Sequence, residues 1–600
     1  VHHPGEEFLE SIQFEGNHAV SSGDLRDGLA LHRAQKLGSA PDPYLVTVDR
    51  ERVRGMYVRH GYLEVDVHAR VERHGDAATV IYRIDEGPRA NTRVVINGLP
   101  ADPELPVAKV RKVLPLEDGK PFDYEPYDKA KELLLAVVED AGYAHAKLDA
   151  KVIADRANHE AVIELTYDTG PKCKFGAIDI VGAPPDLVDA VRARLQIKPG
   201  QQFSATAIAS SQRAIYGMQR FSTVRVMPDK NDGETIDVKV SLAAGAPHEV
   251  SLGGGLGIDP ATYEVRGRAG YVVTGWPWPL TSLAIDTRPA YAYLRDGSGY
   301  EPRVRAMAKL TRIDLFAPFI TGEVEGGYNY LVVEAYTSYG PRARLGLQTP
   351  LGFQQLQLRV GWQIQALGFR HLSPVIDEMT AHELGLDHHE RVGEFQQAIA
   401  LDLRDNLIEP HAGIYGEVRV DEGTPYAGSA YQFVQITPEL RGYLPITRAV
   451  VLAARGRVGD FYGDVPPSER YYSGGATTQR GFSERHLAPT VFGYVGTEAR
   501  AVPVGGGGLV ESSLELRTRL GMVKGMGVGG VAFLDGGDVQ EHLSGVNLLN
   551  LHWAAGGGLR LYTLVGAVRF DVGYRLNRTG PFEPEPDSHY AFHLSIGEAF

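Results

Sequence analysis

Three stretches of the sequence carry residue types and spacings that could do chemistry. The first is His382-Glu383-Leu384-Gly385-Leu386-Asp387-His388-His389. A zinc protease sets His-Glu-x-x-His on one helical face so that both imidazoles reach the metal, and Leu386 stands where the second histidine is required. These histidines read as surface residues with, at most, adventitious metal affinity. The second stretch, Gly253-Gly254-Gly255-Leu256-Gly257, has the glycines of a nucleotide loop but lacks the helix and ribose-binding acid that must follow in a βαβ unit. The third is ionic: Arg480 in Gly474-Gly475-Ala476-Thr477-Thr478-Gln479-Arg480-Gly481-Phe482, with Glu515 and Asp535 downstream. A guanidinium presents five donors and keeps its charge, so two facing carboxylates can satisfy it in a confined interior. That is the chemistry of a lock and not of bond-making. With no nucleophile constellation and no metal set, the chain is expected not to be an enzyme and to need no cofactor.

What must position such a lock is a sheet. In Ser513-Leu514-Glu515-Leu516-Arg517, an outward Leu514 and Leu516 put Glu515 inward, and Leu534 outward does the same for Asp535 on the following strand. Gly481 permits a tight turn beside Arg480, and Phe482 can anchor the loop tip. From 247 to 600 the alternation is general: Val568, Phe570, Val572, Tyr574 and Leu576 share one face, while Arg569, Asp571, Gly573 and Arg575 share the other. Alternation alone fits a soluble sandwich or a membrane barrel. Connection lengths separate them. We count sixteen strands, and every second joint is short, as in Gly275-Trp276-Pro277-Trp278-Pro279 or Met522-Val523-Lys524. The long joints, 367–392, 461–509 and 578–588, all fall on the opposite rim. With strands expected to run 9 to 12 residues, this is the pattern of an outer-membrane barrel. Trp276, Trp278, Tyr562 and Tyr590 near strand ends suit interfacial girdles.

Composition agrees with such a molecule. Six hundred residues exceed one core, and 70 glycines, 36 prolines and 29 tyrosines suit many strands and turns. A formal net charge of −14 argues against nucleic acid as a partner. No apolar run is long enough for a membrane helix. The single cysteine, Cys173, excludes an intramolecular disulfide and reads as structural. The chain opens on Val1-His2-His3-Pro4 without an apolar signal segment, so export is not legible there.

Before the barrel the sequence repeats. Ile12-Gln13-Phe14-Glu15-Gly16, Val94-Val95-Ile96-Asn97-Gly98 and Ile178-Asp179-Ile180-Val181-Gly182 each open a unit. Gly61-Tyr62, Gly142-Tyr143 and Arg220-Phe221 lead each into its closing strands. A spacing of about 80 residues at these landmarks predicts three tandem β-α-α-β-β domains, 8–88, 89–171 and 172–246, ahead of a barrel at 247–600. A small sheet backed by two helices leaves one open edge, which can take an extended peptide by strand addition.

Three such units before sixteen strands with Arg480-Gly481-Phe482 in the sixth outer loop closely resemble the BamA/TamA superfamily of outer-membrane assembly factors, whose periplasmic repeats are called POTRA domains. Phe533-Leu534-Asp535-Gly536-Gly537 and the turn Arg404-Asp405-Asn406-Leu407-Ile408-Glu409-Pro410-His411-Ala412-Gly413 carry the same resemblance. A count of three repeats is most similar to the TamA branch, the translocation and assembly module. The resemblance implies residence in the bacterial outer membrane with the repeats in the periplasm. It also implies unfolded outer-membrane or autotransporter clients, a periplasmic or inner-membrane partner such as a TamB-like protein bound through the POTRA domains, and contact with the lipid bilayer.

The barrel closes where its first and last strands meet. Leu252, Gly253, Gly254 and Gly255 lie on a glycine-rich first strand that packs poorly. On the last strand Tyr590, Phe592, Leu594, Ile596 and Phe600 alternate outward, and Gly597 with Phe600 resembles the C-terminal signal by which barrels are recognised for assembly. The expectation is an insertase: a weak seam between Leu252–Gly255 and Ile596–Gly597 opens sideways, and a client strand pairs there. The alternative is a two-partner-type secretion pore that passes substrate through the lumen once the Arg480 loop leaves.

Overall fold

The computed structural model describes residues 6–229, 233–258, 262–294, 299–387, 389–447, 449–523, 526–563, 566–577 and 589–596. Two units divide the chain, Val1–Gly245 and Ala246–Phe600.

The first unit holds three three-stranded sheets. They comprise β1 (Phe8–Glu15), β2 (Asp66–His74) and β3 (Ala77–Asp85); β4 (Asn91–Asn97), β5 (Lys147–Asp155) and β6 (Glu160–Asp168); and β7 (Lys174–Val181), β8 (Phe221–Asp229) and β9 (Thr235–Ala244). In each sheet the third strand is central, parallel to the first and antiparallel to the second. The glycine ending each first strand has a shared reason. Gly16, Gly98 and Gly182 sit at φ 83°, 78° and 85°, and a Cβ on any of them would overlap the backbone of Ile84, Tyr167 or Leu242 on the central strand.

Helices α1 (Ser22–Asp27), α2 (Ala30–Leu37) and α3 (Pro43–Arg59) cover the first sheet, α4 (Val107–Val113) and α5 (Tyr124–Asp140) the second, and α6 (Val188–Arg192) and α7 (Ala205–Tyr216) the third. The first repeat therefore has three helices where two are expected. Buried Asp49 on α3 accepts the N–H groups of Ala30 and Leu31 at 2.9 and 2.8 Å, which caps α2 as a helix of its own. The strand order also leaves two edges per sheet where one is expected. The segment between the helices covers the start of the first-strand edge: Leu9, Thr92 and Phe175 donate to the carbonyls of Ser39, Lys120 and Gln201 at 2.7 to 2.9 Å. Among the described residues the second strands β2, β5 and β8 form ladders with the central strands alone.

Successive repeats are tied by side chains. Asp140 at the end of α5 accepts from Ser204 Oγ and Thr206 N at 2.8 Å each and from Thr206 Oγ1 at 2.6 Å, holding the start of α7. Lys172 Nζ lies 2.8 Å from Asp102 and 3.1 Å from Glu104. Cys173 is buried beside this junction.

The second unit is one sixteen-stranded antiparallel sheet in chain order. Its strands are β10 (His248–Ile258), β11 (Thr262–Thr274), β12 (Thr281–Leu294), β13 (Gly299–Arg312), β14 (Thr321–Val332), β15 (Thr337–Leu351), β16 (Phe353–Arg370), β17 (Glu390–Asp402), β18 (Gly413–Gly423), β19 (Phe433–Pro445) and β20 (Val450–Gly463). A two-stranded hairpin, β21 (Thr490–Val495) and β22 (Glu498–Pro503), stands in the long connection that follows. The sheet resumes with β23 (Gly508–Val523), β24 (Met526–Gln540), β25 (His552–Thr563), β26 (Gly566–Arg575) and β27 (Tyr590–Ile596). Strands run from 7 to 18 residues, wider than the expected 9 to 12. The longest, β16, keeps its ladder with β15 out to Arg370, where Phe369 packs on Tyr336 at 5.2 Å beneath the loops.

One face of this sheet is apolar and exposed, as at Leu514, Leu516, Leu559, Phe570 and Phe592, while the other buries Glu511, Glu515, Asp535, Arg569 and Asp571. Trp276 and Trp278 are exposed at their turn. No helix among the described residues is long and apolar enough to cross a membrane. Apolar outside and charged inside is the inverse of a soluble sandwich and the arrangement of a membrane barrel.

Candidate functional site

The connection between β20 and β23 folds against the charged face. One loop touches strands far apart in the sheet: Arg485 Nη1 donates to the Val332 carbonyl of β14 at 3.1 Å, and the Arg480 carbonyl lies 3.0 Å from His593 Nε2 on β27. Such reach requires a sheet curled around the loop.

Arg480 is 1% exposed. Its Nε and Nη2 donate to the two oxygens of Asp535 at 2.7 Å each, its backbone N–H donates to Asp535 Oδ2 at 3.0 Å, and Nη1 donates to Glu515 Oε1. The β23–β24 register explains the convergence. Ser513 stands opposite Asp535 and Glu515 opposite Phe533, so all four point to one side. Ser513 Oγ accepts from Nη2 at 3.1 Å and donates to Asp535 Oδ1 at 2.6 Å. The Phe533 ring lies under the guanidinium at 3.5 Å from Cζ, a stacking that a planar cation favours once desolvated. Glu515 is shared with Arg517, whose Nε donates to Oε2 at 2.7 Å. A buried charge is tolerable only when paired and hydrogen-bonded throughout, and here it is.

The residues around Arg480 shape the seat. Phe482 is buried, with the Arg575 guanidinium 3.9 Å from its centroid and His552 edge-on at 5.6 Å. Gly481 differs from the expectation. It takes no left-handed turn; its role is close approach, since a Cβ would lie 2.6 Å from that of Ala554. Gly573 on β26 is equally constrained, because a Cβ there would overlap the Arg480 carbonyl. Gln479 braces the turn by accepting from Gly481 N–H at 2.7 Å and donating to the His552 carbonyl at 3.0 Å.

Arg480, Gly481, Phe482, Glu515 and Asp535 are thus brought together, and Ser513, Phe533, Gln479, Gly573, Arg575 and His593 join them. Sequence reading missed these partners. Ser513 shares the parity of Glu515, and the small residues Ala554, Gly556 and Gly573 on one inward face were the signal for a carved seat.

The other sequence-derived positions fall elsewhere. Leu252 projects outward from β10 and is 81% exposed, while Gly253 and Gly255 stand opposite Arg268 and Arg266 on the inner face, and Gly254 lies between them. Tyr590, Phe592 and Leu594 are exposed on the outer face of β27. Ile596 ends that strand opposite Val568, and Gly597 and Phe600 lie outside the described residues. Among the described residues no ladder joins β10 to β27. The histidine-rich stretch does not form one helix: α8 (Glu378–Glu383) ends one residue after His382, which bonds Asp387 at 2.7 Å. No group of three or more metal-ligating side chains occurs among the described residues.

Tandem α+β repeats ahead of a sixteen-stranded barrel, with an ionic loop seated on its inner face, define an outer-membrane barrel with periplasmic repeats. A family described as the Omp85 superfamily domain matches residues 300–600, half of the chain, and the POTRA family, described as a surface antigen variable number repeat, matches 8–87. The chain belongs to the Omp85 superfamily. It is 23% identical over 522 residues to the outer membrane protein assembly factor BamA of Nitratidesulfovibrio vulgaris, covering 80% of this chain and 60% of that one. The BamA of Neorickettsia risticii is 21% identical over 260 residues, 42% of this chain and 35% of the relative. The chain therefore spans about three fifths of the first of these relatives. In fold it is similar to the crystal structure of Haemophilus ducreyi BamA lacking POTRA domains 1-3, with a TM-score of 0.54 at 15% identity over 85% of this chain and 98% of that one.

Proposed function

We propose that this protein is an insertase of the outer membrane, helping β-barrel or autotransporter clients into the bilayer through the seam between β10 and β27. The observation that carries the reading is an asymmetry between these two strands. β27 is buttressed from inside: His593 bonds the Arg480 carbonyl, and Ser595 Oγ accepts from Arg569 Nε at 2.9 Å while Arg569 Nη2 holds the Ala476 carbonyl at 2.6 Å. β10 instead runs through Gly253, Gly254 and Gly255, which offer no side chain to pack on either face; a Cβ would only touch Arg268 or Arg266 at 3.7 Å at the first two positions and meets nothing within 4 Å at Gly255. A firm last strand beside a weak first one is suited to hold one half of a seam while the other yields. A client strand pairing at the freed edge satisfies backbone groups that each cost several kcal/mol in lipid.

In this reading Arg480, Gly481, Phe482, Glu515 and Asp535 lock the loop that buttresses the wall. Tyr590, Phe592, Leu594 and Ile596 with Phe600 form the chain's own assembly signal. The repeats 8–88, 89–171 and 172–246 receive clients or a TamB-like partner on the edges of β2, β5 and β8. Similarity to proteins named outer membrane protein assembly factors supports the class of activity. The test is catalytic. Liposomes with and without this protein receive a urea-unfolded client barrel, and folding is followed by its shifted gel mobility. Faster client folding is expected with the protein, and equal rates overturn the reading.

A further inference from the structure

The inner face of β10 to β14 carries a feature that the lock does not use. Gly253 and Gly255, with neighbouring strands and the loop, line a cavity of about 570 Å³. Among the described residues its walls hold six arginines, Arg266, Arg268, Arg288, Arg303, Arg305 and Arg485, against three glutamates. Four of the six have carboxylate partners. Arg266 pairs with Glu264, Arg303 with Glu264 and Glu301, and Arg268 and Arg288 share Asp286.

Arg305 and Arg485 form no ion pair among the described residues. Their acceptors are backbone carbonyls, Tyr330 at 3.3 Å and Val332 at 3.1 Å, and the enclosed Nε of Arg305 has no acceptor among the described residues. Arg305 also stands directly opposite Arg288 in the β12–β13 register, where like charges repel. Arg485 is held at φ 62°, a left-handed conformation that a long side chain rarely adopts. Nor does packing force glycine at 255, since a Cβ there meets nothing within 4 Å. What glycine preserves at that point is space in front of the guanidiniums.

We propose that this cavity binds a phosphate group. A tetrahedral phosphate accepts from several forked guanidiniums at once, offsets the opposition of Arg288 and Arg305, and supplies the acceptor that Arg305 Nε lacks. A phospholipid headgroup and a free phosphate share this chemistry. A headgroup can reach this inner face around the edge of β10, which forms no ladder with β27 among the described residues; the outer side of that strand presents Leu252 and Leu256 at 81% and 83% exposure, where acyl chains can lie. The site does not depend on client insertion.

The 600-residue chain in phosphate-free maltoside micelles is titrated with inorganic phosphate, and separately with phosphatidylglycerol, while thermal unfolding of the barrel is recorded. A saturable rise of the midpoint is expected. Arg305→Gln with Arg485→Gln weakens binding about tenfold or more, whereas Arg359→Gln, whose partner is Glu417 outside the cavity, leaves it unchanged. Gly255→Glu, which places a carboxylate in the space, abolishes it and keeps the test readable if the double variant does not fold. Competition of phosphatidylglycerol with phosphate supports the site and assigns the lipid source; phosphate binding without such competition supports the site and assigns a soluble anion. No saturable response to either probe, or equal binding by the Arg305→Gln/Arg485→Gln variant, overturns the proposal.

Discussion

Arg480 engages Asp535 through three separate donors: the backbone N–H at 3.0 Å and Nε and Nη2 at 2.7 Å each. Main chain and side chain of one loop residue are tied to one carboxylate, so the loop cannot shift without breaking charge-assisted bonds. Glu515 takes one Arg480 bond and divides its charge with Arg517. The two acids are therefore unequal partners.

Asp535→Ala and Arg480→Ala should each destabilise the barrel by about 3 to 5 kcal/mol, the usual cost of leaving one member of a buried pair alone. Glu515→Gln should cost less. In a double-mutant cycle, Arg480→Ala combined with Asp535→Ala should fall short of the sum by about 0.5 to 3 kcal/mol. Urea unfolding in detergent reads all of these, and strict additivity contradicts a shared network.

The glycines of the seat should separate from those of the seam. Gly573→Ala puts a methyl into the Arg480 carbonyl, and Gly481→Ala puts one against Ala554; both should loosen the loop and lower the unfolding midpoint. Gly255→Ala meets nothing within 4 Å and should stay within about 0.5 kcal/mol of the parent. Equal losses at all three positions would contradict the seat.

Much of this was legible in the sequence because membrane strands expose their parity. The β23–β24 register is antiparallel and unbroken through Glu515 and Asp535, so the outward leucines placed both acids inward without knowledge of the third dimension. The joints were legible for the same reason, as Gly275 to Pro279 lies between β11 and β12 where expected. Less visible was whatever depends on contact across the interior. Nothing local marks Phe533 as the ring beneath Arg480, or His593 as the support of its carbonyl. The extra helix of the first repeat, α2, was hidden likewise, because its cap, Asp49, is supplied from α3, 18 or more residues downstream.

The junction of the second and third repeats should be sensitive to acid. Hydrogen bonds from Lys172 first, and then from the Glu104 backbone, hold the Asp102 carboxyl at about 2, below its ordinary 3.8. A carboxylate whose folded value is depressed contributes stability above its unfolded value, and loses it as pH falls through the folded one. The contribution of this pair is thus full above about pH 4 and lost between there and about pH 2. Carbon NMR of the Asp102 side chain should show a midpoint near 2 that moves toward 3.8 in Lys172→Ala; an unmoved midpoint would contradict the pairing.

Asp140 should control the start of α7 from the neighbouring repeat. Asp140→Ala leaves Ser204 and Thr206 without their carboxylate, a loss comparable with removal of a helix cap, about 0.5 to 2 kcal/mol. Hydrogen exchange in the whole 600-residue chain should quicken in the first turn of α7 and not in α4. Quickening in both, or in neither, would contradict a local tie.

The proposed function places client entry at the seam between β10 and β27. Cysteines replacing Leu252 and Ile596, in a chain with Cys173 changed to Ser, allow β10 and β27 to be crosslinked in liposomes and released by reduction. The account predicts client folding at the unassisted rate while the seam is crosslinked, and full acceleration after reduction. Acceleration that is equal in both states would contradict lateral insertion and move the activity to the lumen or to the repeats.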